Sequence, residues 1–248
     1  MTNLASDCYS AIVGGNADTI ASFLEWLAHH RGLGSPVRVL DVGCGPGRMF
    51  PAFKALGWAV TSVEPHGDFH EAALQAARTA GCEPPECLGF AEITALSSFD
   101  LVTAINDSFS HLLTGAERAT ALDRALLALR PAGAIFLEVP NFLWILENYR
   151  RPPELTAPVP GGEVRLKRTH EIDFHAATFA TVEDYRLIRD GIEQQIQMRH
   201  AYAMTTFAEL EHQLRVAGFV HMETYNSYAS RSPERLTGSR ILLSALRP

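Results

Sequence analysis

Short apolar runs alternate along the chain with segments whose apolar residues recur every three to four positions, the pattern of strands buried between helices. Ile20, Phe23, Leu24 and Leu27 share one helical face and predict a helix over Asn16–Arg31. Asn16 or Asp18 is available as its cap, and Gly32-Leu33-Gly34-Ser35-Pro36 breaks it. Val37–Val42 reads as a buried strand, Arg48–Leu56 as a helix ended by Gly57, Ala59–Val63 as a second strand and Asp68–Thr79 as a helix ended by Gly81. Glu86–Phe90 is a weak third strand and Asp100–Ile105 a stronger one. Ala116–Leu129 predicts a helix, Arg130-Pro131-Ala132-Gly133 a turn, and Ala134–Val139 the next strand. This alternation implies a parallel sheet with helices on both faces over residues 35–140.

After Leu155 the pattern changes. Glu163–Phe174, Thr178–Leu187 and Gln194–Tyr202 are polar runs rich in β-branched and aromatic residues, and Asp190-Gly191 between the last two is a hairpin signal. They predict an antiparallel β meander inserted into the α/β domain. Thr206 and Glu209 form a capping box for a helix that stops at Gly218, and Gly218–Tyr225 with Ser239–Leu246 reads as a final pair of strands. The expected layout is one domain over 1–248. Residues 1–34 form a helical lid, 35–140 the core, 155–204 the inserted sheet and 205–248 the last helix with its closing strands.

At 248 residues the chain is long enough to bury one full-sized core. A formal charge of −7 argues against a nucleic-acid backbone as the main partner. No apolar run reaches the ~18–20 residues of a membrane span. The first ten residues carry no basic, apolar leader, so a cytoplasmic protein is expected. Cys8, Cys44, Cys82 and Cys87 fit no zinc spacing and are expected as reduced thiols. His29 and His30 do not share a helix face, nor His170 and His175 a strand face, so no metal is expected.

The informative stretch is Val39-Leu40-Asp41-Val42-Gly43-Cys44-Gly45-Pro46-Gly47-Arg48, where a strand gives way to a helix. Ligands of open α/β sheets sit at such strand ends, and glycines let a flat ligand approach the backbone. A dinucleotide fingerprint needs glycine where this chain has Arg48. Asp41 suits a ligand that brings positive charge and would repel a pyrophosphate. Glu64 closes the next strand, where a carboxylate accepts both hydroxyls of a ribose.

Those segments, followed in order by Phe99-Asp100-Leu101-Val102, Leu129-Arg130-Pro131-Ala132-Gly133 and Ala217-Gly218-Phe219, resemble the class I S-adenosylmethionine-dependent methyltransferases. The resemblance implies an α/β fold with a Rossmann-like seven-stranded sheet whose last strand is antiparallel. The inserted meander is similar to the added sheet of small-molecule N- and O-methyltransferases. It implies S-adenosyl-L-methionine as cofactor, S-adenosyl-L-homocysteine as product, and methyl transfer to nitrogen or oxygen of a small-molecule metabolite. The resemblance implies that the backbones of Gly43, Cys44 and Gly45 approach the cofactor, with Glu64 on the ribose; Asp41, Pro65 and Asn106 are expected around it and Tyr9 as a lid. Phe90 stands where relatives carry an acid, so Ala91 or Glu92 is expected to replace it near the adenine. His111 is the candidate catalytic base, and Asn141, Trp144 and His170 are candidate substrate contacts. Arg165 and Lys167 share a strand face, with Arg168 opposite, and offer charge to an anionic group. The expected partner is a small molecule, neither nucleic acid nor membrane, with the meander a candidate homo-oligomer surface. The alternative is a non-catalytic module that binds the same cofactor and acts through partners.

Overall fold

In the computed structural model, which describes residues 4–148, 150 and 154–248, two sheets share the chain. The first is built on β1 (Arg38–Val42) and β3 (Phe99–Ala104), apolar and buried almost throughout because helices cover both faces. Its order is β2 (Ala59–Val63), β1, β3, β4 (Leu129–Pro140), β10 (Arg240–Leu246) and β9 (Val220–Tyr225). β10 runs antiparallel to both neighbours. The expected strand at Glu86–Phe90 is reduced to one parallel bridge from Glu86 to Val63, the last residue of β2. Pro84 and Pro85 precede it and lack the N–H groups a longer ladder needs.

Side-chain alternation assigns the two faces. Leu40, Val42 and Val102 pack against α5 (Gly115–Ala128) and α7 (Phe207–Ala217). Val39, Leu101 and Phe136 pack against Phe23, Leu24 and Leu27 of α2 (Ala17–His30) and Phe53 of α3 (Phe50–Ala55). α4 (Gly67–Ala80) follows β2. β4 starts five residues earlier than expected. Arg130–Gly133 forms an irregular first stretch in which Ala132 takes φ 61° and the register to β3 shifts.

Two short helices lay outside the sequence reading. α1 (Leu4–Val13) carries Tyr9, and α6 (Phe142–Asn148) follows β4. The inserted sheet has four antiparallel strands, one more than expected: β5 (Leu155–Val159), β6 (Gly162–Asp173), β7 (Thr178–Arg189) and β8 (Ile192–Ala203). β5 is an edge strand, which tolerates its Pro158. Asp190 and Gly191 take φ 50° and 79°, as the two-residue turn between β7 and β8 requires.

The inward face of this sheet changes character along its length. Val164, Leu166, Tyr185 and Leu187 bury Cys8 of α1. Further along lie the rows Arg168–Glu183–Met198 and His170–Thr181–His200, set by the register of β6, β7 and β8. Among the described residues no helix is long and apolar enough to cross a membrane.

Candidate active site

The strand ends of the first sheet and the polar rows of the second enclose a cavity of about 900 Å³. At one end lies the glycine turn. Gly43, Gly45 and Gly47 all have positive φ, which only glycine adopts without strain. The Gly43 and Cys44 amides both donate to the Val63 carbonyl. A Cβ on Gly43 would lie 2.6 Å from Ser108 Oγ, and that hydroxyl is bonded to the Gly43 and Ile105 carbonyls. Gly45 differs: a Cβ there would meet nothing within 4 Å, because the position opens into the cavity.

Glu64 is 6% exposed, and its two carboxylate oxygens accept from the Gly45 amide at 2.8 Å and the His66 amide at 2.9 Å. Each oxygen keeps a further acceptor site. Beneath the turn, Asp41 is 2% exposed and accepts from Thr103 Oγ1 at 2.8 Å. Burial pushes its carboxyl up to about 6, against the pull of Thr103 and Arg48. Cys44 is also buried, and desolvation with the nearby acids holds its thiol protonated. Pro65, Gly89 and Phe90 line the same end. Ala91 and Glu92 do not line it: both are exposed, and Glu92 instead accepts from the Gly89 amide to brace a short 3₁₀ turn.

The loop after β3 forms the rim. Asn106 and Asp107 take φ 54° and 71° in succession, an uncommon geometry for residues with side chains. Arg240 of β10 holds them there through a bidentate pair with Asp107, at 3.0 and 2.6 Å, and a 2.9 Å contact to Glu138. Glu138 also accepts from the Asn106 amide at 2.7 Å and from the Tyr228 hydroxyl. Burial opposes charge on Arg240, but Asp107 and Glu138 outweigh it and keep the guanidinium firmly protonated. Asn106 Nδ2 donates to the Tyr9 hydroxyl, so α1 closes this end of the cavity. Burial raises Tyr9 to about 12.

Two expected substrate contacts lie elsewhere. Asn141 donates through Nδ2 to the Gly238 carbonyl at 2.9 Å and ties the loop after β4 to the approach to β10, without lining the cavity. Trp144 is 36% exposed and also outside it. Phe142 and Ile145, three apart on α6, point inward, and that spacing turns position 144 away. Arg165 and Lys167 lie on the outer face of β6, Arg165 against Glu163. Of these three, Arg168 is the one that lines the cavity.

The polar rows form the opposite wall. Glu183 is 5% exposed and accepts from Arg168 at 2.6 Å and from the Tyr185 hydroxyl at 2.7 Å. His170 packs at 4.8 Å against Phe179, and burial holds it below the usual imidazole value. His111 packs at 4.8 Å against Tyr202 and lies 2.9 Å from the Ala201 carbonyl through Nδ1. A carbonyl only accepts, so Nδ1 is the donor in this contact. Arg240, Glu183, His200 and Tyr202 were missed by the sequence reading. The signal for Glu183 was period-two polarity at Thr181, Glu183 and Tyr185; Arg240 opens an apolar strand and carried none. Among the described residues no three His, Cys, Asp or Glu side chains come together as a metal site requires.

Residues 39–133 match the family described as a methyltransferase domain. A chain from Geobacillus sp. (strain WCH70), named as a methyltransferase, is 29% identical over 127 residues, which is 49% of this chain and about half (50%) of that relative's length. An S-adenosylmethionine-dependent methyltransferase from Clostridium acetobutylicum ATCC 824 superposes with a TM-score of 0.81 at 14% identity, covering 99% of each chain. CalS10, an amino pentose methyltransferase from Micromonospora echinaspora, superposes with a TM-score of 0.77 at 19% identity, covering 100% of this chain and 98% of its own.

Proposed function

We propose, from the class I methyltransferase fold and the methyltransferase domain over residues 39–133, that this protein methylates a small-molecule amine with S-adenosylmethionine as donor. The observation that carries the reading is the open cradle at Gly45 beside the doubly anchored carboxylate of Glu64. Such an arrangement fits a nucleoside: the turn lets a flat group approach, and the remaining acceptor sites of Glu64 match a ribose diol. S-adenosylmethionine, when bound, supplies a methyl group on a positively charged sulfur. Gly43, Cys44, Gly45 and Pro65 would hold it, with Asn106 and Tyr9 closing over it from the rim.

The rest of the work is alignment. An activated methyl group needs a nucleophile held in line, and a base only if that nucleophile arrives protonated. The imidazoles of His111 and His200 line the acceptor end. They match an ammonium proton far better than that of an aliphatic hydroxyl, which favours nitrogen over oxygen. The shared fold of an amino pentose methyltransferase supports the same choice.

Gly45→Ala separates cofactor room from folding. The methyl group touches no protein atom, so stability falls by only about 1–2 kcal/mol from the positive φ. Affinity for S-adenosylhomocysteine falls about tenfold or more, which calorimetry with a parallel melt reads directly.

Asp41 fits a cationic ligand and costs the empty protein stability. Its folded-state value of about 6 exceeds the unfolded value of about 3.9. Between those values the folded protein keeps a proton that the unfolded chain has lost. Stability therefore falls as pH rises through this window and stays lower above it. Asp41→Asn is expected to stabilise the protein by about 2 kcal/mol at pH 7 and by little at pH 3.5. The same variant loses preference for the charged sulfonium over the neutral thioether. Urea unfolding at the two pH values and paired titrations measure both effects.

The reading as a whole is tested by titrating S-adenosylhomocysteine and NADH in turn. One-to-one binding of the first and no heat from the second is expected; the reverse would make this a nicotinamide site.

A further inference from the structure

Two imidazoles stand at the acceptor end, and their surroundings differ. His111 is exposed, and its Nδ1 proton is engaged by the Ala201 carbonyl. His200 lies within the sheet face, in register with Thr181 and His170. Its Nε2 is buried with no hydrogen-bond partner among the described residues and lies 3.6 Å from Glu183 Oε2. The ring itself lines the cavity.

Glu183 is anchored on Oε1 by Arg168 and on Oε2 by the Tyr185 hydroxyl, so it is a fixed negative charge rather than a mobile proton acceptor. We propose that His200 takes the proton of the methyl acceptor at Nδ1, its Nε2–H directed at Glu183. The inference rests on reading this end of the cavity as the acceptor site. The N–H bond of an incoming ammonium breaks, its proton moves to Nδ1, and the electron pair stays on nitrogen, leaving a neutral amine. The imidazolium so formed faces the Glu183 carboxylate. His200 is then a catalytic residue and Glu183 a positioning residue, with Arg168 and Tyr185 fixing Glu183 in turn.

The charges around His200 agree with a base that waits neutral. Burial holds it below the ordinary imidazole value. Arg168 on β6, His111 after β3 and His66 before α4 push the same way, while Glu183 on β7 pulls toward the protonated ring. His170 across the row adds a further imidazole. His111, whose Nδ1–H holds the carbonyl next to His200, steadies the edge strand that carries the base.

Nitrogen-15 histidine spectra of the full chain test this without any acceptor, with His200 assigned from the signal lost in His200→Gln. The expected neutral tautomer has its proton on Nε2, and Glu183→Gln lowers the titration midpoint by about one unit. A proton on Nδ1 in the wild type, or an unmoved midpoint in Glu183→Gln, overturns the proposal. With the small-molecule fraction of a cell extract as acceptor pool, His200→Gln is expected to lower methyl transfer about 100-fold or more while S-adenosylhomocysteine affinity holds. Undiminished transfer in that variant also overturns it. Failure of the methyltransferase reading would abolish transfer in the wild type but leave the tautomer and midpoint as measured, so the two failures are distinguishable.

Discussion

Glu64→Ala is expected to weaken S-adenosylhomocysteine binding by about 100-fold or more while leaving the protein folded. The carboxylate makes two charge-assisted bonds, to the Gly45 and His66 amides, and these fix the glycine turn itself. In the proposed complex the same oxygens accept the ribose hydroxyls. Hydrogen bonds to a charged group contribute about 1.5–3 kcal/mol each, so losing a pair costs at least about 3 kcal/mol of binding. Alanine leaves two amides without acceptors, but both face a wet cavity, so the loss in stability stays smaller than the loss in affinity. Calorimetric titration beside a thermal melt separates the two. Unchanged affinity would place the ribose elsewhere.

Arg240→Met is expected to produce the largest loss of stability among single changes at the site. Arg240 is the shared partner of Asp107 and Glu138, whose side chains are only 17% and 8% exposed. Removing one member of a buried ion pair leaves an uncompensated charge and costs about 3–5 kcal/mol. Here two carboxylates are stranded, though Arg240 itself is 30% exposed, so about 3 kcal/mol is the expected loss. At this chain length that lowers the melting temperature by about 6–12 °C. Asp107→Asn in the Arg240→Met background should restore part of it, since the amide relieves one stranded charge. A melt identical to wild type would mean that the left-handed pair Asn106-Asp107 holds its shape without the arginine.

These two residues also mark how legible the site was. Glu64 lies close in sequence to the glycine turn it braces, on the next strand of an alternating pattern. The ligand end of such a turn is made of backbone, so its requirements are written locally as Gly43, Gly45 and Gly47 at positive φ. Arg240 lies 133 residues from Asp107 and meets it only because β10 inserts between β4 and β9. No local pattern announces such a pair. The polar wall of the second sheet was hidden for a related reason. His200 and Glu183 are neighbours only through the register of β7 and β8, and a one-residue slip of β8 would turn His200 outward.

The misplacements have equally physical origins. Trp144 was expected in the pocket because it follows a strand end, but the phase of the short helix α6 turns Phe142 and Ile145 inward instead. Backbone contact from Ala91, or Glu92, was expected to replace the relatives' acid near the adenine, whereas in this segment Gly89 and Phe90 line the cavity and Glu92 serves as a brace. Arg168, not Arg165 or Lys167, reaches the cavity, since alternation fixes that one of the two faces looks inward without saying which. The parallel sheet, the Asp190-Gly191 hairpin and the capped helix at Thr206 needed no such information, and they formed close to the expected residues.

The most direct test of the central claim is to follow labelled methyl groups from S-adenosylmethionine into a cell extract supplemented with the purified protein. The extract is then separated into small-molecule, protein and nucleic-acid fractions. The account predicts label in the small-molecule fraction, on an amine, and its loss when Glu64→Ala replaces the wild type. Label confined to protein or nucleic acid would contradict the acceptor assignment, and tight cofactor binding with no transfer to any fraction would contradict catalysis itself.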